Sequence, residues 1–379
     1  MTESLKSAAQ VVKDTISYGK PAPASDQYLR WNAPGVEEIK ADEESKQHEI
    51  ANVMNQMQQK NFEKHRRAFT ATHVKPQGVV KGTLTVKPDL PKHLQQGMFA
   101  VPGKKFDVIA RYANEPYLLQ SDQERGPRGL SMKVFGVSGK KLDDSINEHG
   151  TQDWFFNNAP MIELTDLDTT LEIMKLRLEN FDSPNMLGTK LTLRTDAMKQ
   201  HAPYQLPNTN LISHSFYTQS AFRYGEYYGH LGLFPLLDEQ ATEEAKRTVK
   251  SSDPETVLSD WLQEYFRTHS ARYAFRIQLG TSTVHHPTED ASVVWDQATA
   301  PYQDIAIVEF PPQDSFSHQR RLFWDMKMKL SPWSGMLEHQ PLGSINRLRK
   351  YVYARSAKKR DEINVGSSQN VLDIGDVPD

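Results

Sequence analysis

The sequence predicts an α+β chain built on an antiparallel sheet or barrel with added helices. Short β-rich segments recur at 78–86 (GVVKGTLTV), 106–113 (FDVIARYA), 129–137 (GLSMKVFGV), 273–280 (YAFRIQLG) and 304–311 (DIAIVEFP), separated by Gly, Pro and Asp. Helical patterning marks 45–67, 167–180 and 255–270. The two kinds of segment do not alternate regularly, so a parallel doubly wound sheet is disfavoured.

In chain order, residues 1–50 are polar, with an acidic cluster from Glu37 to Glu44, and read as an extended arm. Residues 45–67 place Ile50, Val53, Met54, Met57 and Phe62 along one helix side. The segments that follow form one domain over 51–365, and 366–379 reads as a flexible tail. No internal repeat is present.

Forty-five basic and 48 acidic side chains leave a formal charge of −3, which argues against a nucleic-acid binder. A hydrophobic fraction of 37% is low, but 6 Trp, 14 Tyr and 16 Phe can supply a core. No run approaches the ~18 apolar residues of a membrane span. The N-terminus lacks the apolar stretch of a secretory signal, so the expected location is cytoplasmic. Zero cysteines exclude disulfides, iron–sulfur clusters, thiol nucleophiles and Cys-rich zinc sites.

Dinucleotide, phosphate-loop, HExxH and GxSxG motifs are absent. His285 and His286 precede Glu289 and Asp290, but adjacent residues of an extended segment point to opposite faces. That stretch reads as a polar hairpin loop. Three other pieces are informative together: Thr72-His73-Val74-Lys75-Pro76-Gln77-Gly78 before a strand, Asp153-Trp154-Phe155-Phe156-Asn157-Asn158-Ala159-Pro160, and the late basic helix 344–360.

Together these pieces resemble the catalase-like haem proteins, in order over roughly residues 60–360. His73, Lys75 and Gly78 match the family's distal His with its Lys or Arg at +2 and Gly at +5. Asn158, inside Asn157-Asn158-Ala159-Pro160, matches the catalytic Asn. Arg111, inside Ala110-Arg111-Tyr112-Ala113, looks like the Arg that meets a haem propionate. Gly126-Pro127-Arg128-Gly129-Leu130 is similar to the family's Asp-Pro-Arg-Gly-Phe element. The chain is shorter than ordinary catalases, and the stretch from Glu338 to Arg347 resembles the minimal, catalase-related peroxidase branch. The resemblance implies a catalase-like antiparallel β-barrel with surrounding helices and an N-terminal arm.

The family's proximal Arg-x-x-x-Tyr occurs twice in the late helix, as Arg347/Tyr351 and Arg349/Tyr353. At about 100° per residue, Ile345, Leu348, Val352 and Ser356 form an apolar stripe. Arg349 and Tyr353 fall beside it, with Arg360 on the same side, whereas Arg347 falls with Lys350 and Lys358. Tyr353 is the expected iron ligand and Tyr351 the fallback.

The resemblance further implies haem b, with ferric iron held by a Tyr353 phenolate that Arg349 stabilises and with Arg111 and Arg360 as carboxylate clamps. His73 would move the protons of a peroxide and Asn158 would hold and polarise it. The expected activity is that of a peroxidase using hydrogen peroxide or organic hydroperoxides, with a small organic or lipid substrate, in a homo-oligomer. Two departures keep other readings open. Thr72 stands where catalases carry Val, as in catalase-like allene oxide synthases. Thr70 replaces an Arg three residues before the distal His, leaving Arg66 or Arg67 to substitute. The other readings are a fatty-acid hydroperoxide isomerase or lyase, and a non-enzymatic barrel holding haem or an apolar ligand.

Overall fold

The computed structural model describes residues 27–142 and 150–379. Its centre is built from strands β1 (Lys75–Val86), β2 (Lys105–Asn114), β3 (Arg128–Phe135), β4 (Thr151–Asn157), β5 (Phe216–Tyr217), β6 (Phe222–Tyr224), β7 (Tyr227–Pro235), β8 (Ala271–Leu279) and β9 (Tyr302–Phe310). They run in the order β5-β4-β3-β2-β1-β9-β8-β7-β6. Every pairing between these strands is antiparallel, and β5 bonds both β4 and β7. Eight strands therefore close into a barrel, and β6 extends from β7 alone. The expected fold class is the observed one.

Alternation decides which side chains fill the barrel, because successive Cβ atoms of a strand point to opposite faces. Val80, Leu84 and Val86 from β1 meet Phe106, Val108, Ala110 and Tyr112 from β2 in one buried cluster. Leu130, Met132 and Val134 from β3 and Trp154 and Phe156 from β4 join them. The interior is thus filled by these buried side chains.

The outer face is covered by helices. These are α1 (Glu43–His65), α2 (Leu167–Glu179), α3 (Pro184–Thr192), α4 (Ala197–His201), α5 (Val257–Phe266), α6 (His318–Lys327) and α7 (Ser344–Asn364). Helix α2 starts where the Asp166 side chain accepts a hydrogen bond from the Thr169 amide at 3.0 Å, an ordinary N-cap. Ile50, Val53, Met54 and Met57 of α1 pack with Ile173 and Met174 of α2 and Leu348 and Val352 of α7. The apolar stripes read from the sequence are therefore the faces that join these three helices.

Two boundaries are corrected. The arm expected over 1–50 gives way to α1 at Glu43, and residues 27–42 lie against the barrel through Leu29 N–H to Gly280 O and Trp31 N–H to Glu226 O. Residues 1–26 lie outside the described residues. The tail expected over 366–379 is packed: Val371 and Val377 are buried with Val79, Ile109, Trp324 and Met328 on the barrel's outer surface. Two valines in a polar stretch were too sparse a pattern to announce that burial.

The 280–301 stretch connects β8 to β9, as a hairpin loop should. His286 is buried there, with Nδ1 3.1 Å from the Thr281 amide and Nε2 3.2 Å from Thr299 Oγ1. Among the described residues no cluster of His, Asp and Glu is arranged to hold a metal ion. No described helix is long and apolar enough to cross a membrane.

Candidate functional site

The outward faces of β2, β3 and β4 form a lattice of cross-strand rows. Ala113 pairs with Gly129 and Gly129 with Asn157; one step along, Arg111 pairs with Ser131 and Ser131 with Phe155. A third row joins Ile109, Lys133 and Asp153. Helices α6 and α7 approach this lattice and leave a cavity between them and the sheet. Thr72, His73, Arg111, Gly129, Ser131, Phe155, Met328, Tyr353 and Arg360 all line it.

His73 reaches the cavity through an unusual backbone. Its φ is 54°, a left-handed conformation uncommon for residues other than glycine. Two hydrogen bonds hold it there: its N–H donates to Glu115 O at 2.8 Å, and its carbonyl accepts from Arg111 Nη2 at 2.9 Å. The imidazole lies directly over Gly129, where any Cβ would collide with Cε1 and Nδ1. Burial, and then the charges of Arg111 and Arg349, push His73 down to about 3. The ring is therefore neutral near pH 7, able to accept a proton. Thr72 lines the same wall, and its carbonyl accepts from Thr70 Oγ1 at 2.7 Å. Among the described residues no hydrogen bond joins the Thr72 hydroxyl to His73.

Helix α7 supplies a second wall. Tyr353 stands edge-on to Phe155, with ring centroids 4.9 Å apart. Arg349, one turn earlier, donates to Asn346 Oδ1 at 2.9 Å. Burial raises the Tyr353 phenol, Arg349 opposes that rise, and Glu115 adds to it. Tyr351 does not face the cavity; its ring packs on His48 of α1 at 5.3 Å. Arg347 is also directed elsewhere, into a cluster with Glu37, Glu43 and Glu289 at 2.6–3.0 Å. Of the two Arg/Tyr pairs, the cavity receives the one containing Tyr353.

Arg111 and Arg360 both line the cavity, and among the described residues the Nε of each is buried with no hydrogen-bond partner. Hydrogen bonds run to His73 O from Arg111 and to Met328 O (3.1 Å) from Arg360. Among the described residues neither guanidinium group is bonded to a carboxylate, and Asp325 acts on both without a bond.

Several expected residues sit elsewhere. Asn158 is not on the cavity wall. Its Oδ1 accepts from the Arg128 amide at 2.8 Å, and its Nδ2 lies 3.1 Å from His214 Nδ1. The amide is consumed in tying the β3–β4 edge to His214. Neither proposed substitute for the arginine at position 70 serves: Arg66 is exposed, and Arg67 pairs with Asp325 at 3.0 Å. Lys75 and Arg128, two other motif residues, are braces; Lys75 holds Asp122 at 2.9 Å and Arg128 bonds Glu124 O and Asn208 Oδ1. Sequence reasoning missed Ser131, Lys329 and Ser356, which also line the cavity. Alternation from Arg111 across the sheet would have pointed to Ser131; no local signal marks Lys329.

Neither a protein-family model nor any curated protein matches the chain. Solved structures do. Catalase A from Saccharomyces cerevisiae superposes with a TM-score of 0.59 at 17% identity, over 82% of this chain and 65% of its own. A fungal catalase gives 0.59 at 16% identity, over 82% of this chain and 63% of its own. A bacterial catalase gives 0.53 at 12% identity, over 98% and 76%. The chain thus spans a little under two thirds of the first two in length. With its eight-stranded antiparallel barrel and surrounding helices, the chain has the fold of these catalases.

Proposed function

We propose that the cavity lined by Tyr353, His73, Arg111 and Arg360 holds haem b and that the protein is a haem peroxidase acting on hydrogen peroxide or organic hydroperoxides. The observation that carries the reading is the convergence on one cavity of a tyrosine beside an arginine, a neutral histidine, and two guanidinium groups whose Nε atoms lack partners. The donor set fits the group. Tyr353 offers a phenol oxygen to iron, and Arg349 favours the anionic form that ligation requires. Arg111 and Arg360 offer their free N–H groups to the two carboxylates. Ferric haem, when bound, supplies a Lewis-acidic, redox-active iron for cleavage of an O–O bond.

The chain's own residues then do the rest. His73 accepts the proton of an entering hydroperoxide and returns it to the departing oxygen, a general base turned general acid. Its locked backbone and its seat on Gly129 fix where that proton is handled. Phe155 and Met328 keep the surroundings apolar, which strengthens each polar contact made there. Asn158 acts at one remove, by holding the sheet edge and His214, so it is a positioning residue rather than a contact for peroxide.

The test is an absorption spectrum of the purified chain, alone and after haemin addition, followed by peroxide-dependent oxidation of an organic donor. A Tyr-ligated ferric haem spectrum with donor oxidation is expected. Folded protein that takes up no haemin overturns the proposal. Rearrangement of a fatty-acid hydroperoxide without donor oxidation replaces the peroxidase reading with that of an isomerase or lyase.

A further inference from the structure

A second cavity lies beyond the segment that anchors His73. It is lined by residues of the segment after β2, by Arg177 of α2, by α3, and by His201 and Tyr204. Its walls are largely apolar, from Pro116, Tyr117, Leu187, Leu191 and Tyr204. Glu115 is the acidic residue among the lining side chains. Its carbonyl fixes the His73 amide, but its carboxyl lines the cavity and makes no hydrogen bond to any described residue.

The charges around Glu115 sum nearly to neutrality without it. Arg177 is buried and paired with Glu163 at 3.2 Å. Tyr117 and Tyr204 add only phenols, and His201 Nε2 lies 3.1 Å from Thr192 Oγ1. A second carboxylate beside this pair is disfavoured, and burial, reinforced by Glu163 and opposed by Arg177, raises Glu115 well above the ordinary carboxyl range. A carboxyl that faces an apolar-walled cavity and has no hydrogen bond to a described residue can hydrogen-bond a ligand's hydroxyl group in either of its protonation states.

We infer that this second cavity binds a neutral, mainly apolar organic molecule bearing one hydroxyl or hydroperoxide group, and that the Glu115 carboxyl holds that group. An anionic molecule would bring negative charge beside the Glu115 carboxyl and would find Arg177 already paired with Glu163, and a cationic one would meet Arg177 in the wall. The site is distinct from the cavity of Tyr353, with which it shares no lining residue. Its occupancy does not rest on the haem reading, since binding requires no turnover.

Gly188 permits a clean test. It lines the cavity from α3, and a Cβ there meets nothing within 4 Å. Gly188→Phe can therefore fill the space with little disturbance of the helix, which glycine itself weakens. The probes are cumyl alcohol, a neutral analogue of an aryl hydroperoxide, and 4-isopropylbenzoate, an anion of similar size. Both are titrated calorimetrically into the full chain. Cumyl alcohol should bind at least about tenfold more tightly than the anion, and Gly188→Phe should abolish its binding. Glu115→Val should weaken it about threefold to tenfold, the worth of one hydrogen bond. Glu115→Gln, which keeps a donor and an acceptor, should retain it. Cumyl alcohol should also shift a carboxylic-acid stretch in the infrared difference spectrum, and Glu115→Gln should remove that band. No binding, tighter binding of the anion, or binding indifferent to both Gly188→Phe and Glu115→Val overturns the inference. A chain that takes up no haemin but binds cumyl alcohol in this manner sinks the peroxidase reading and leaves this one standing.

Discussion

Gly129→Ala is the sharpest perturbation the site allows. Gly129 sits in β3 without a positive φ, so alanine is tolerated by the backbone, and the added methyl is the whole change. That methyl would overlap Cε1 and Nδ1 of His73, by more than about 1 Å relative to the ~3.5 Å contact distance of carbon atoms. The His73 backbone cannot retreat easily, because the Glu115 carbonyl and the Arg111 guanidinium hold it on both sides. The ring must swing away by roughly 1 Å or the strand must move. Overpacking of this kind costs about 1–3 kcal/mol of stability, and an ångström of misplacement costs on the order of 10²-fold in rate. The assay pairs urea unfolding with steady-state peroxide turnover of haem-loaded protein, for Gly129→Ala, His73→Ala and the double variant. In the double variant the ring is gone, so the methyl should no longer destabilise. If the full stability penalty of Gly129→Ala persists without the His73 ring, or if the single variant turns over within threefold of wild type, the steric argument is wrong.

Three other outcomes are expected. Tyr353→Phe should abolish the ferric haem spectrum and peroxide turnover, whereas Tyr351→Phe, a ring packed on His48, should change either by less than about twofold; both are read by absorbance and rate, on the proposed ligation. Asp153→Asn breaks a pair with Lys133 at 2.6 Å in which neither side chain is exposed, so chemical denaturation should show a loss of about 3–5 kcal/mol. His214, His230, His286 and His339 are all depressed by burial, to about 4, 3, 4 and 3. Between about pH 6.5 and 4 the unfolded chain therefore binds more protons than the folded one, and stability falls with falling pH by up to about 1.4 kcal/mol per unit for each histidine. Urea midpoints equal at pH 7 and pH 5 would contradict that burial.

The parts of the fold legible in the sequence are those with a local period. Phe106, Val108, Ala110 and Tyr112 announce β2 by alternation, and Leu348, Val352 and Ser356 announce the buried side of α7. The same helical spacing separates Tyr353 from Tyr351. Barrel closure was legible only through the family resemblance and not from local pattern, because it depends on two residues, Phe216 and Tyr217, that bridge strands far apart in the chain. Asn158 shows a different limit. Its place in a motif says where the backbone goes, but the direction of an amide is decided by competing partners, here the Arg128 amide and His214. Glu115 had no periodic or motif signal at all. Only tertiary structure could surround it with Arg177, Glu163 and apolar walls.

The packed C-terminal segment makes the end of the chain part of the site's foundation. Val371 and Val377 press on Trp324 and Met328, and both of those side chains line the cavity of Tyr353. Lys133, on the barrel, donates to Asn370 at 2.8 Å, and Lys81 holds the Val377 carbonyl at 2.6 Å. A keel stabilises a hull in this way, from outside and below. Residues with no chemistry of their own thereby shape the chamber, and a substitution at Val371 would be felt in the cavity wall at Trp324 and Met328.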